Sequence, residues 1–368
     1  MTIQTSLTSR ERMDRMFARK DHDRVPRFES CWGETLDRWI GEGLQAANRK
    51  EAMDKVLELL EADLSTLCWY WPHPFPGRVE IIEEDEYTRI TMGPSGTIER
   101  FWKNKSGTPE HLGWECDERD VWEKIYKPAF VNQDIVLDAK VVGRKFELAA
   151  RLNKWSFFAG VIAFEVIRKI IGDEMFMITL IDDPEWIEDI ARTSCDNLLR
   201  NYQAMLDAGI RPDGIWIYDD MAFKTMTFCS PAMYRETIWP QHKRLVDFAH
   251  ANGMKIIFHS DGDLRGVIPD LINAGFDCLQ PLESKASMDV RELAPSYGSK
   301  LAFFGNIDVM KLLTNDLVLI EEEIASKFAA GMAQKGYIYH SDHSVPPQVS
   351  WETYKAVIGF VEKYGHYG

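Results

Sequence analysis

The sequence predicts an α/β fold: an eight-stranded β/α (TIM-type) barrel with an N-terminal helical extension and an inserted β-hairpin near 77–103. Three observations lead there. Short apolar runs alternate with segments of helical periodicity, the runs number eight, and acids and histidines cluster directly after them, where a parallel barrel gathers its polar mouth. The 368 residues suit one domain spanning 1–368, since single barrels reach this length. A doubly wound open sheet is the competing architecture.

The opening SRERMDRMFARK places Met13, Met16 and Phe17 at helical spacing, which predicts an amphipathic helix. A first strand follows over Val25–Phe28, then a long helical stretch through Leu59. Leu64–Cys68 reads as the second strand and runs into the aromatic, proline-rich loop CWYWPHPFPG. From 77 to 103, apolar and polar residues alternate around Gly-Pro-Ser-Gly, the pattern of an antiparallel hairpin. The stretch to about residue 150 contains helical pieces. Six further strands are expected at Trp155–Ile162, Gly214–Tyr218, Lys255–His259, Cys278–Leu282, Leu301–Gly305 and Gly336–His340, each followed by a helical segment.

With 45% hydrophobic residues the chain can bury a large core. Its 43 basic against 58 acidic residues leave a net charge of −15, spread along the chain. Such a surface repels phosphate backbones and anionic lipid, so no nucleic acid and no membrane are expected as partners, and a small molecule or another protein is. The polar start MTIQTSLTSRERMDRM carries no apolar signal core, and no stretch of ~20 apolar residues could span a bilayer, so the chain is expected in the cytoplasm. Cys31, Cys68, Cys116, Cys195, Cys229 and Cys278 are scattered without a CxxC pair, which predicts reduced, mostly buried thiols.

The residues after each apolar run define the candidate mouth. They are Glu29-Ser-Cys31-Trp32, then Tyr218-Asp219-Asp220, His259-Ser-Asp261, Gln280 and Glu283, Asn306 and Asp308, and finally Tyr339-His340-Ser-Asp342-His343. His259 and Asp261 are one residue apart, so at a strand terminus both side chains can point into the mouth. Imidazole and carboxylate together suit a divalent metal, and His343 from the last strand is the expected third ligand to zinc. The pair reads equally as a structural histidine and a helix cap, since Asp-Gly-Asp before LRGVIPDLI is N-cap chemistry. Of Asp219 and Asp220, one is expected to face substrate and the other to hold the backbone or an arginine. For Asn306 and Asp308 the capping reading is preferred. Trp32, Trp69, Tyr70 and Trp71 form either an aromatic wall for a flat substrate or part of the core.

These stretches also carry a resemblance. FHSDGDLRGVIPDLINAGFDCLQPLE, FFGNIDVMKLL and YIYHSDHSVPPQVSWETYKAVIGFVEKYG resemble the last third of the uroporphyrinogen decarboxylase superfamily, and DDPEWIEDI and SPAMYRETIWPQHKRLVDFAHANGMKIIFHSDG resemble its middle. The likeness runs over roughly 155–365 and implies the barrel independently. The superfamily contains true uroporphyrinogen decarboxylases and zinc methyltransferases that exchange methyl groups with a corrinoid protein.

Decarboxylases of this family carry an RQAGR-like stretch whose arginines bind porphyrinogen carboxylates, where this chain has FESCWGETLDRW. The methyltransferase branch is the better match. There zinc is held by an HxC pair and a later Cys, and the matching positions are His259-Ser-Asp261 and His343, with both thiolates exchanged for harder donors. The resemblance therefore implies an enzyme: a zinc-dependent methyltransferase that demethylates a methoxylated small molecule, aromatic or not, and passes the methyl group to a corrinoid protein. In that reading Asp219 or Tyr218 orients substrate and Glu165 is a fourth ligand or acid. Glu29, Trp32, Trp69, Trp71, Asp220, Tyr339 and His340 line the substrate site. The alternative is a metal-independent decarboxylase or lyase acting on a small carboxylic acid, with His343 as proton donor, because DHSVPP stands where decarboxylases have a GHGVxP-like motif.

Overall fold

Strands that present alternate side chains to two apolar layers form the centre of the molecule. The computed structural model describes residues 7–104 and 108–367; the first six residues, part of the polar start, lie outside the described residues. In chain order the strands are β1 (Leu64–Tyr70), β2 (Glu80–Glu84), β3 (Thr88–Met92), β4 (Thr97–Trp102), β5 (Glu110–Trp114), β6 (Trp155–Val161), β7 (Gly214–Tyr218), β8 (Lys255–His259), β9 (Cys278–Gln280), β10 (Ala302–Phe304) and β11 (Tyr337–Ile338). Seven of them form one sheet in the order β1-β6-β7-β8-β9-β10-β11, every pairing parallel and helices following the strands.

Along these strands Phe157, Ala159, Trp216, Ile257, Phe304 and Ile338 turn to one buried cluster. Their neighbours Phe158, Ile215, Ile217, Phe258 and Phe303 turn to another, shared with the helices, as a two-residue period requires. The opening helix α1 (Ser9–Phe17) begins in a capping box between Thr8 and Glu11. Met13 and Met16 from its buried face pack on the inner cluster, which is the expected amphipathic helix put to use as a plug.

Beta pairing at Val25–Phe28 is limited to isolated bridges, where the sequence predicts an eighth strand. Phe28 N–H bonds Tyr339 O, Tyr339 N–H bonds Pro26 O, and Asp63 N–H bonds Arg27 O, so the segment lies between the two edges of the sheet. Pro26 has no N–H to give, and the Arg27 N–H goes to the Asp63 carboxylate at 2.9 Å rather than to a ladder, which keeps the pairing to single bridges. The insertion near 77–103 is larger than a hairpin. Strands β2 to β5 make a four-stranded antiparallel sheet, and the expected Gly-Pro-Ser-Gly turn joins β3 to β4. All six cysteines are free, five of them buried. Among the described residues no helix is long and apolar enough to cross a membrane.

Candidate metal centre

Register places the polar residues. Tyr218, His259 and Gln280 stand side by side at the carboxyl ends of β7, β8 and β9. His259 Nδ1 hydrogen-bonds Gln280 Oε1, so the ring is fixed and its Nε2 faces the Asp220 carboxylate at 3.5 Å. Asp220 Oδ1 also accepts the Asp261 N–H at 2.8 Å. The turn that allows this contains Gly262, with φ at +86° and a Cβ position only 2.5 Å from Ala222 O. A side chain there would push the loop after β8 away from the loop after β7. Gly262 N–H is bound in turn by Glu283 at 2.9 Å.

Asp220, His259 and Asp261 thereby bring one potential ligand atom each within 4.8 Å of one another. Asp261 Oδ1 is buried and has no hydrogen-bond partner, a costly state for a carboxylate unless something binds it. One imidazole nitrogen and two carboxylates are a donor set suited to zinc and other divalent first-row metals, so the residues fit a metal ion. Burial pushes the Asp261 carboxyl above its ordinary range; His259 and His343 pull it back and Asp220 adds to the rise. The group differs from the expected one in its third member. Asp220 closes it, whereas His343, half-buried, stacks on Trp32 at 5.6 Å.

Asp219 and Asp220 turn to different partners. Asp219 is wholly buried and faces away from the mouth: Oδ1 accepts the Glu165 N–H at 3.0 Å and Oδ2 meets His242 Nε2 at 2.7 Å. It is not placed to touch a substrate, which corrects its expected catalytic role. Ala163, in the left-handed region at φ 43°, turns the chain from β6 into the helix Ala163–Ile171 so that Glu165 arrives beside Asp219. Glu165 is pushed up to about 7, by burial first and then by the Asp220 charge, against the pull of Arg168. The Arg168 guanidinium holds Glu165 at 2.8 Å.

Glu29, expected at the substrate, lies inside a nest instead. It accepts hydrogen bonds from Ser341 Oγ at 2.8 Å, Tyr339 OH at 3.1 Å and Tyr354 OH at 3.3 Å. Glu29 and Tyr339 are buried, and so is His340, packed against Phe304 and bonded to Ser30; all three hold the mouth together from behind rather than lining it. Trp71 is half-buried and stacks on His73. Trp32 and Trp69 remain open, at 39% and 50% exposure. Trp69 meets Tyr218 edge-on at 4.7 Å, and Tyr218 lies 4.2 Å from the His259 ring. Asp308 caps its helix, as preferred, and Asn306 ties the loops after β9 and β10.

Three groups around the site lie beyond the sequence reading. By sequence Gln280 is only a strand-end residue; its pairing with His259 is a register fact. Arg168 lies three residues from Glu165, a helical spacing that could have been used. His242 lies on a distant helix and carries no sequence signal.

A parallel α/β sheet with a carboxylate and histidine cluster at its strand ends defines the class of protein. The chain belongs to the uroporphyrinogen decarboxylase (URO-D) family, whose model matches residues 163–364. Similar curated proteins include the uroporphyrinogen decarboxylase of Bacillus cereus (strain AH820), 30% identical over 172 residues, and that of Bacillus mycoides (strain KBAB4), 28% identical over 172 residues. Each alignment covers 46% of this chain and 45% of the relative, so the match spans about half the length of these proteins. Among solved structures, a methyltransferase from Methanosarcina mazei superposes with a TM-score of 0.69 at 15% identity, over 98% of this chain and 99% of that one. The two share a fold.

Proposed function

We propose that this chain is a metal-dependent methyltransferase, with zinc as the metal, that demethylates a methoxylated aromatic small molecule and passes the methyl group to a corrinoid protein in the cytoplasm. The observation that carries the reading is the group Asp220, His259 and Asp261, with its unpartnered Asp261 oxygen. We read the sheet as a closed eight-membered barrel, with Val25–Phe28 in the eighth place, so that this group lies at the mouth of a single catalytic domain over 1–368.

When bound, the metal would supply Lewis acidity toward an ether oxygen. The chain's own residues do the rest. Gln280 fixes His259 so that Nε2 is the free donor. Asp220 and Asp261 supply negative charge that favours a cation over an anionic substrate. Tyr218, packed against His259, and Trp69 offer ring faces along which an aromatic substrate lies with its methoxy group toward the ligands. Trp32, stacked on His343, offers a further ring face. Glu165, held by Arg168, is the fourth ligand or the acid.

The test is elemental analysis of purified protein together with methyl transfer from a methoxyarene to a corrinoid protein. One zinc per chain is expected, lost in His259→Ala along with activity. Metal-free protein and an active His259→Ala variant would overturn the proposal. A second reading, favoured by His343 standing outside the ligand group on Trp32, is a metal-independent decarboxylase or lyase of a small carboxylic acid with His343 as proton donor. It expects chelator-insensitive release of carbon dioxide that His343→Ala abolishes.

A further inference from the structure

Behind the ligand group lies a buried polar chain. The His242 side chain is fully enclosed, in the helix Trp239–Ala251, yet both its ring nitrogens are engaged. Nδ1 meets Tyr234 OH at 2.8 Å and Nε2 meets Asp219 Oδ2 at 2.7 Å. Asp219 in turn touches two walls of the site. Its Oδ1 accepts the Glu165 N–H at 3.0 Å, and its own N–H bonds His259 O at 3.0 Å. The next residue is Asp220, whose Oδ1 receives the Asp261 N–H.

We infer that Tyr234, His242 and Asp219 form a positioning relay that fixes the Asp220 corner and the first turn carrying Glu165 into the geometry that binds a divalent cation. The inference rests on the metal reading above and goes beyond it by naming the residues that preset the site.

Packing alone does not account for the relay. An apolar pair of similar shape would fill the space between these helices and the sheet without desolvating an imidazole, a phenol and a carboxylate. What the polar chain adds is direction. A hydroxyl and two ring nitrogens in series leave Asp219 one orientation, with Oδ2 committed to the relay and Oδ1 to the Glu165 amide. Apolar contacts would leave the carboxylate free to rotate. Ligating carboxylates lose affinity when their backbone corner drifts, and partners of this kind typically matter about 10–100-fold to metal binding.

The test uses the full chain with Zn²⁺ and Co²⁺ alone. Titration calorimetry gives the Zn²⁺ affinity, and the visible spectrum of the Co²⁺ form reports the coordination geometry. His242→Leu, which keeps volume and loses both bonds, is expected to weaken Zn²⁺ by about tenfold or more and to alter the Co²⁺ spectrum, at temperatures well below its melting transition. Tyr234→Phe removes one hydroxyl and is expected to weaken Zn²⁺ by a smaller factor. His242→Gln, which can still bond Asp219, should recover most of the affinity whatever it does to the melting temperature. Folded His242→Leu and Tyr234→Phe with wild-type Zn²⁺ affinity and an unchanged Co²⁺ spectrum overturn the relay. So does an affinity that follows melting temperature alone across the three variants. If wild type itself binds no Zn²⁺ or Co²⁺, the metal reading falls instead.

Discussion

Both ends of the parallel sheet bury charged side chains, but they treat them in opposite ways. At the amino end Asp63, with no exposed surface, receives Arg12 at 2.6 Å, Arg24 at 2.7 Å and the Arg27 amide at 2.9 Å. Asp23 receives Arg12 through two bonds of 2.6 and 2.7 Å. Carboxylates are matched by guanidinium groups and by the backbone. At the carboxyl end Glu165, Asp220, Asp261 and Glu283 share one neighbourhood, and Arg168 offers its guanidinium to Glu165 while an oxygen of Asp261 goes unpartnered. Charge density therefore does not mark a site by itself. What distinguishes the carboxyl end is an acidic cluster with coordination left unused, where a cation can recover the cost of burial.

The contrast breaks most visibly at Asp63. Replacing it by Ala leaves Arg12 and Arg24 buried without their shared partner, which should cost about 3–5 kcal/mol, read as a drop in urea midpoint, with metal binding by the folded fraction unchanged. If Asp63→Ala lowered Zn²⁺ affinity instead, the two ends would not be separate in function. Acid and base provide the next test, on metal-free protein. Asp23 is lowered from 3.8 to about 2, with Arg12 overcoming the opposing effect of burial. Its stabilisation is therefore complete above pH 3.8 and is lost as pH falls toward 2. Glu165 is raised from 4.5 to about 7, so the folded state keeps a proton that the unfolded chain has released. Its contribution has the opposite sign: stability falls as pH rises from 4.5 to 7, by at most roughly 1.4 kcal/mol per pH unit. Unfolding followed against pH should show both slopes, and Glu165→Gln should reduce the upper one, to which Asp219 and Asp342, also raised by burial, contribute as well, and leave the lower one unchanged.

How far each end could be read from sequence follows the same division. β7 and β8 end where hydrophobic runs meet Asp219 and Ser260, because apolar runs closed by polar residues are a local signal. His259 and Asp261 were legible for that reason. The third member of the group was not. Asp220 joins the group through a hydrogen bond to the Asp261 amide, a contact between two loops that neither loop's sequence encodes, while the stacking of His343 on Trp32 depends on where two chain segments separated by three hundred residues meet. Val25–Phe28 misled as a full strand for a nonlocal reason as well, since the Arg27 amide is taken by a carboxylate at position 63. Glu29 looked like a mouth residue by position alone; the hydroxyls that enclose it come from residues 339, 341 and 354.

Neutralising one carboxylate at the open end should carry a smaller effect with the reverse sign. Asp261→Asn removes a charge that burial and Asp220 oppose, so the metal-free protein is expected to gain about 1 kcal/mol while Zn²⁺ affinity collapses. Calorimetry on apo and loaded samples checks both halves. A loss of apo stability would mean that the carboxylate is paired in a way its unpartnered oxygen denies.

The smallest effect belongs to the tryptophans, and it separates an aromatic wall from a core. Trp155 is buried and packs with Phe157 inside the sheet, where truncation to Ala should cost about 3–5 kcal/mol. Trp69 keeps half its surface open while one edge rests on Tyr218, so Trp69→Ala should move stability by no more than about 0.5 kcal/mol. A ring face that contributes little to folding remains available to a ligand. Stacking of an aromatic substrate is worth about 0.5–1.5 kcal/mol, so Trp69→Ala should raise KM for a methoxyarene by roughly two- to tenfold and leave kcat nearly unchanged, because the ligands beyond Tyr218 are undisturbed. A drop in kcat with KM constant would place Trp69 in the support of His259 through Tyr218, and the carboxyl end would then be more like a core than its exposure suggests.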